Sequence, residues 1–143
     1  MALKNIYEVL NEFKKVKTKQ ERIEVLRKNE SWALKSVLQG VFHPNVKFNV
    51  KVPDYKKIDV PPGMSYDHMT SALQRAYLFQ VDNPRTPEGL TDKRKTELLI
   101  QILESLEPME AEVFENMLQK DLKVPYLTQG LVNEAFQGLL PQS

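Results

Sequence analysis

Cysteine is absent from the 143 residues. That removes disulfides, thiolate nucleophiles and thiolate zinc ligands together. Glycine is scarce, and its five copies are scattered singly, so no glycine-rich phosphate loop exists. The two histidines, His43 and His68, lie in different segments with no carboxylate at ligand spacing. A zinc or iron site asks for three or four clustered ligands, so no metal is expected. Apolar runs stop at four residues, as at Ala76–Phe79, far short of a membrane-spanning helix. Residues 1–16 carry lysine and glutamate throughout, unlike a signal peptide. No serine sits in a nucleophile elbow or beside a histidine–carboxylate pattern. The expectation is a non-catalytic protein without cofactor, membrane segment or small-molecule substrate.

What is present suits one folded domain spanning residues 1–143. A chain of this length buries about two-thirds of its unfolded surface. The net charge of +1 conceals a gradient. Residues 1–60 hold 13 basic and 7 acidic side chains, whereas residues 101–143 hold 2 and 7. A basic half can follow an anionic partner, and an acidic half weakens that attraction.

The periodicity is mostly helical. Leu3, Ile6, Tyr7, Leu10 and Phe13 recur at three- and four-residue spacing. Thr18 with Glu21 fits a capping box opening a second helix. Ser31–Phe42 suits a third, with Leu34, Val37, Leu38 and Val41 inward and Trp32 sealing its start against the core. A fourth is expected over Tyr66–Val81. Thr91 caps a fifth, with Leu98, Leu99, Ile102, Leu103 and Leu106 as its stripe. Pro108 sits in the first turn of a sixth, and Thr128 caps a seventh after the break at Pro125. Between the third and fourth, Val46, Phe48, Val50 and Val52 alternate with Lys47, Asn49 and Lys51. That period of two marks an extended segment over about 46–52 with one buried face. A proline-bearing loop over 53–66 follows and holds the pair Lys56 and Lys57. The fold class expected is therefore all-α, about seven helices with one extended segment.

Two clusters invite a chemical reading. Glutamates are frequent from Glu104 to Glu115, at positions opposite the apolar stripe, which suits a solvated face. Lys14, Lys15, Lys17 and Lys19 gather at the first interhelical turn. They can bind phosphate, or complement the negative end of a helix.

The C-terminal region carries a family resemblance. Met117-Leu118-Gln119-Lys120-Asp121-Leu122 is followed by a break, Thr128, Val132-Asn133, Phe136 and Gly138-Leu139-Leu140-Pro141. This resembles the end of the N-terminal, DNA-binding domain of tailed-phage ATP-dependent DNA ligases. Val25–Asn29 with Leu34–Leu38, and Phe42–Val52, resemble earlier stretches of that domain. The resemblance implies a helical domain gripping duplex backbone across the minor groove. Carried over by position, Thr128, Gln129, Gly130 and Asn133 form the backbone-contacting turn, with Asn133 serving either DNA or the turn itself. Lys47 and Lys51 then lie on the exposed face of the extended segment, with Lys56 and Lys57 beyond them. Where the family turn bears glycine, this chain has Lys123-Val124-Pro125-Tyr126-Leu127. No Lys-x-Asp-Gly adenylation motif occurs, so the resemblance implies the domain alone, as in small proteins of phages infecting marine cyanobacteria. It implies an accessory in replication, repair or recombination, in the cytoplasm of an infected bacterium, with double-stranded or nicked DNA as partner. The alternative on the same fold is an interaction module that binds a host or phage protein through the 53–66 loop.

Overall fold

The computed structural model describes residues 5–44, 46–48, 50, 54–55, 69–80 and 84–140. Within them the chain forms α1 (Ile6–Lys15), α2 (Lys19–Lys28), α3 (Trp32–Phe42), α4 (Met69–Gln74), α5 (Asp92–Ser105), α6 (Pro108–Leu118) and α7 (Gln129–Ala135). No strand occurs among the described residues, and an isolated antiparallel bridge joins Phe48 to Gln80. The fold is all-α, as the periodicity implies.

Most helix starts follow the local chemistry. Thr18, Ser31, Thr91 and Thr128 each accept a hydrogen bond from the backbone N–H three residues on. Each bond satisfies one donor that a helix start leaves free. Only half of the Thr18 box forms as such, because Glu21 receives the Thr18 hydroxyl at 2.9 Å. The expected fourth helix is corrected. It is α-helical only over Met69–Gln74 and tightens into a 3-10 turn over Ala76–Phe79, with Arg75 between them. The expected start at 66–68 lies outside the described residues. The tighter turn directs Phe79 fully inward and presents Gln80 to Phe48.

Helix α6 is the hub, packed against α1, α3 and α5. Its Phe114 and Met117 are buried with Leu38, Leu99 and Leu103 in one apolar core. Burial of such side chains contributes about 1.5–3 kcal/mol each. Gly40 brings α3 close to α6, since a Cβ there would stand 2.7 Å from Met117 Cγ and Sδ. Helix α2 lies against α1 and α7. This joins the basic first half to the acidic end. Lys19 pairs with Glu134 at 2.8 Å, and Arg27 donates to the carbonyls of Glu134 (2.8 Å) and Ala135 (3.1 Å). One cation of the basic half is thus paired at the surface with an acid of the C-terminal part.

Two side chains depart from their sequence reading. Trp32 does not seal α3 against the core, because it is 54% exposed. Glu110 does not lie on a solvated face, because it is only 5% exposed. Its Oε1 accepts the Tyr7 N–H at 2.8 Å, and the Ile6 N–H also bonds to the carboxyl. A carboxyl of α6 therefore caps the start of α1, where negative charge and acceptors are favoured. Burial pushes its pKa up to about 7 despite those two amides.

Candidate nucleic-acid interface

The segment linking α6 to α7 carries the unusual geometry. Lys120, Lys123 and Tyr126 have φ of 62°, 59° and 68°. For residues with a Cβ, this left-handed region costs roughly 1–2 kcal/mol each. Glycine would adopt it freely. This chain adopts it with side chains attached. Local bonds hold it in place. The Asp121 N–H reaches the Asn116 carbonyl at 3.0 Å, and Asp121 Oδ1 accepts the Lys123 N–H at 2.9 Å.

Cations converge along this turn. At its start, Lys120 Nζ donates to the carbonyls of His43 (3.0 Å) and Val46 (2.6 Å). That clamp docks the extended segment, so the exposed Lys47 follows directly. Burial holds the Lys120 pKa below the usual lysine value. In its middle, Lys123 shares a cleft of about 90 Å³ with Lys14, Asn11 and Asn116, between α1 and α6. Near its end, the Arg22 guanidinium lies 4.0 Å from the centroid of the Tyr126 ring. Arg22 also donates to the Lys17 carbonyl at 3.4 Å. Tyr126 is 67% exposed. Acidic groups stand nearby: Glu112 lines the same cleft, and Glu134 holds Lys19.

The residues singled out by the resemblance divide. Thr128 is exposed, and its hydroxyl caps α7 by accepting the Leu131 N–H at 3.2 Å. Gly130 is exposed, with open space where a Cβ would stand. Gln129 is half-buried at the first position of α7. Asn133 ties the chain end together, since its Oδ1 accepts the Leu140 N–H at 3.0 Å across the turn that Gly138 makes at φ 80°. Of the extended segment, Val46, Phe48 and Val50 are half-buried while Lys47 is exposed, in keeping with the alternation. Lys51, Lys56 and Lys57 lie outside the described residues, as do Asn49 and Val52. Sequence reasoning missed Arg22, Lys123 and Tyr126. Arg22 meets Tyr126 only through the packing of α2 beside the turn, and no local pattern encodes that. The DNA reading groups the 14–19 lysines with the Thr128 turn, and of these Lys14 lines the cleft with Lys123.

A second surface feature is a groove of about 700 Å³ beside α3, α4 and the 3-10 turn. Trp32, Gln39, Gln74, Tyr77, Gln80 and Arg85 are among its lining residues. Elsewhere, the Tyr55 hydroxyl is buried without a hydrogen-bond partner among the described residues. Burial and then the nearby Glu115 raise its pKa. No group of three or more metal-ligating side chains occurs among the described residues. No described helix is long and apolar enough to cross a membrane.

The arrangement is that of a helical domain with a strained basic turn. The family model described as a family of unknown function, DUF6433, matches residues 9–124, and the chain belongs to that family. The match takes in Lys14, Lys17, Arg22, Lys47 and Lys123, while Thr128 to Asn133 lie beyond it. No curated protein matches the chain.

Proposed function

We propose that the protein binds the DNA backbone without reading sequence, as a non-catalytic accessory in phage replication, repair or recombination. One observation supports this above the rest. Lys14 lines one cleft with Lys123, and Arg22 lies on the Tyr126 ring of the same left-handed turn, while the exposed Lys17 accepts from Arg22 through its carbonyl and the exposed Lys47 adjoins Val46, which is bonded to Lys120. Backbone held at a cost of about 1–3 kcal/mol per residue points to a functional constraint. Clustered lysine and arginine supply phosphate contacts, which position a protein on DNA and carry no sequence information. The resemblance to the ligase DNA-binding domain points to the same region of the chain. The interaction-module reading rests on the 53–66 loop, of which only Asp54 and Tyr55 are described, so the cationic turn favours DNA.

The test is charge reversal at exposed positions, where folding is least affected. A variant combining Lys14→Glu, Lys17→Glu and Lys123→Glu should lose at least about 10-fold in duplex affinity at low salt, as expected when phosphate contacts are removed. Lys47→Glu alone should lose less. Retention of full affinity by the triple variant, with native circular dichroism, would sink the assignment of this surface.

A further inference from the structure

We infer that Lys120 is a positioning residue for duplex binding, whose clamp on the start of the extended segment fixes where Lys47 meets a phosphate. The inference rests on the DNA reading above and adds to it a residue that serves binding without touching DNA. Helix α6 ends at Leu118, and Lys120 follows it at φ 62°. The Lys120 N–H reaches the Met117 carbonyl and the Asp121 N–H reaches the Asn116 carbonyl, each at 3.0 Å. In this closing pattern of a helix, glycine is the usual left-handed residue, and it would take the position with less strain. What lysine adds is an ammonium on a long flexible stem. That ammonium lies at the end of α3. It donates to the carbonyl of His43, the residue that closes α3, at 3.0 Å and to that of Val46 at 2.6 Å. A helix end is where carbonyls lack partners and a cation is favoured. One side chain thus joins the ends of α6 and α3 to the first residues of the extended segment.

Lys47 is held from both sides. Val46 before it is bonded to Lys120, and also donates its N–H to the His43 carbonyl at 3.1 Å. Phe48 after it forms the antiparallel bridge to Gln80. Val46 and Phe48 are half-buried, and Lys47 between them is exposed. A cation whose backbone is already anchored meets a phosphate at a lower cost in chain entropy. Lys120 itself is half-buried, and two of its donors already go to carbonyls. That suits it to hold the segment rather than to contact DNA.

The absence of cysteine allows a single spin label to report on the clamp without DNA. A nitroxide on Lys47→Cys should give narrower lines when Lys120→Met is added, and native lines with Lys120→Arg, which keeps the charge and the donors. In binding, the salt slope for a labelled intact duplex should fall by about 0.9 in Lys47→Ala, the share of one phosphate contact. Lys120→Met should lose most of that amount. The double variant should lose no more than Lys47→Ala alone, because both changes act on one contact. Lys120→Gly removes the clamp while easing the backbone, and should match Lys120→Met, so a folding defect peculiar to methionine does not decide the result. Three results would overturn the inference. They are unchanged nitroxide lines in the folded clamp variants, a wild-type salt slope in those variants while Lys47→Ala loses its contact, or additive losses in the double variant, which would make Lys120 a phosphate contact in its own right. The DNA reading fails on a different result, full duplex affinity in the Lys14, Lys17 and Lys123 variant, so the two failures are told apart.

Discussion

Glu110 is the residue whose environment has the clearest consequence. Its carboxyl is buried and satisfies two amides at the start of α1. Desolvation raises its pKa from the ordinary 4.5 to about 7, and Glu107 and Glu8 add to the rise. The folded state therefore holds the proton more tightly than the unfolded one. By linkage, the stabilisation from the protonated form is complete below about pH 4.5. It declines as pH rises to about 7 and is level above. Glu110→Gln keeps an acceptor for the amides and removes the titration. Urea unfolding of both proteins from pH 4.5 to 7.5 should show the wild type losing up to roughly 3 kcal/mol relative to the variant. Parallel profiles would contradict the assignment. Glu110→Ala should cost about 1–3 kcal/mol at any pH, because the Ile6 and Tyr7 amides lose their partner. Glu110 stands in the first turn of its own helix, α6, yet the amide it receives belongs to α1. Its periodicity within α6 says nothing of α1, which is 103 residues away at Tyr7.

At the scale of elements, the turn between α6 and α7 is the most informative piece. Its three left-handed residues were invisible in the sequence, where a proline and the lack of glycine argued against close approach of the backbone. Lys123→Gly tests whether strain is stored there. Glycine relieves about 1–2 kcal/mol of left-handed cost and adds about 0.5–1 kcal/mol of unfolded-state entropy. The variant should be more stable by about 0.5–1 kcal/mol in urea unfolding, and should bind duplex DNA more weakly for want of a cation. A loss of stability would show that the Lys123 backbone is not strained. The other elements were more legible. Thr18, Thr91 and Thr128 announced their helices because a capping bond spans only three residues. The fourth helix misled because Ala76, Tyr77 and Phe79 fit a helical stripe. Pairing of Gln80 with Phe48 competes with helix there, and it spans 32 residues of sequence. Trp32 misled for a simpler reason, since a lone large aromatic is usually core.

At the scale of the whole molecule, two effects oppose each other. Packing of α2 on α7 pairs Lys19 of the basic half with Glu134 and ties Arg27 to backbone carbonyls of α7. Packing of α1 and α2 beside the α6–α7 turn sets Lys14 by Lys123 and Arg22 on Tyr126. Summed charge conceals both, which is why the net value of +1 was a poor guide to the surface. The all-α class was legible because most of the described helices carry their own periodicity and four of them a side-chain cap. The candidate site was legible only in part, because its cations come from segments that meet through tertiary packing alone.

The most direct measurement is fluorescence anisotropy of the purified chain with a labelled intact duplex, a nicked duplex and a single strand, titrated with salt. Backbone binding through the turn predicts micromolar or tighter duplex affinity, falling linearly in log–log form with salt. The slope should shrink by about 0.9 for each phosphate contact removed with Lys14, Lys17 or Lys123. Absence of duplex binding at low salt, or a slope unchanged in those variants, would contradict DNA-backbone recognition by this domain.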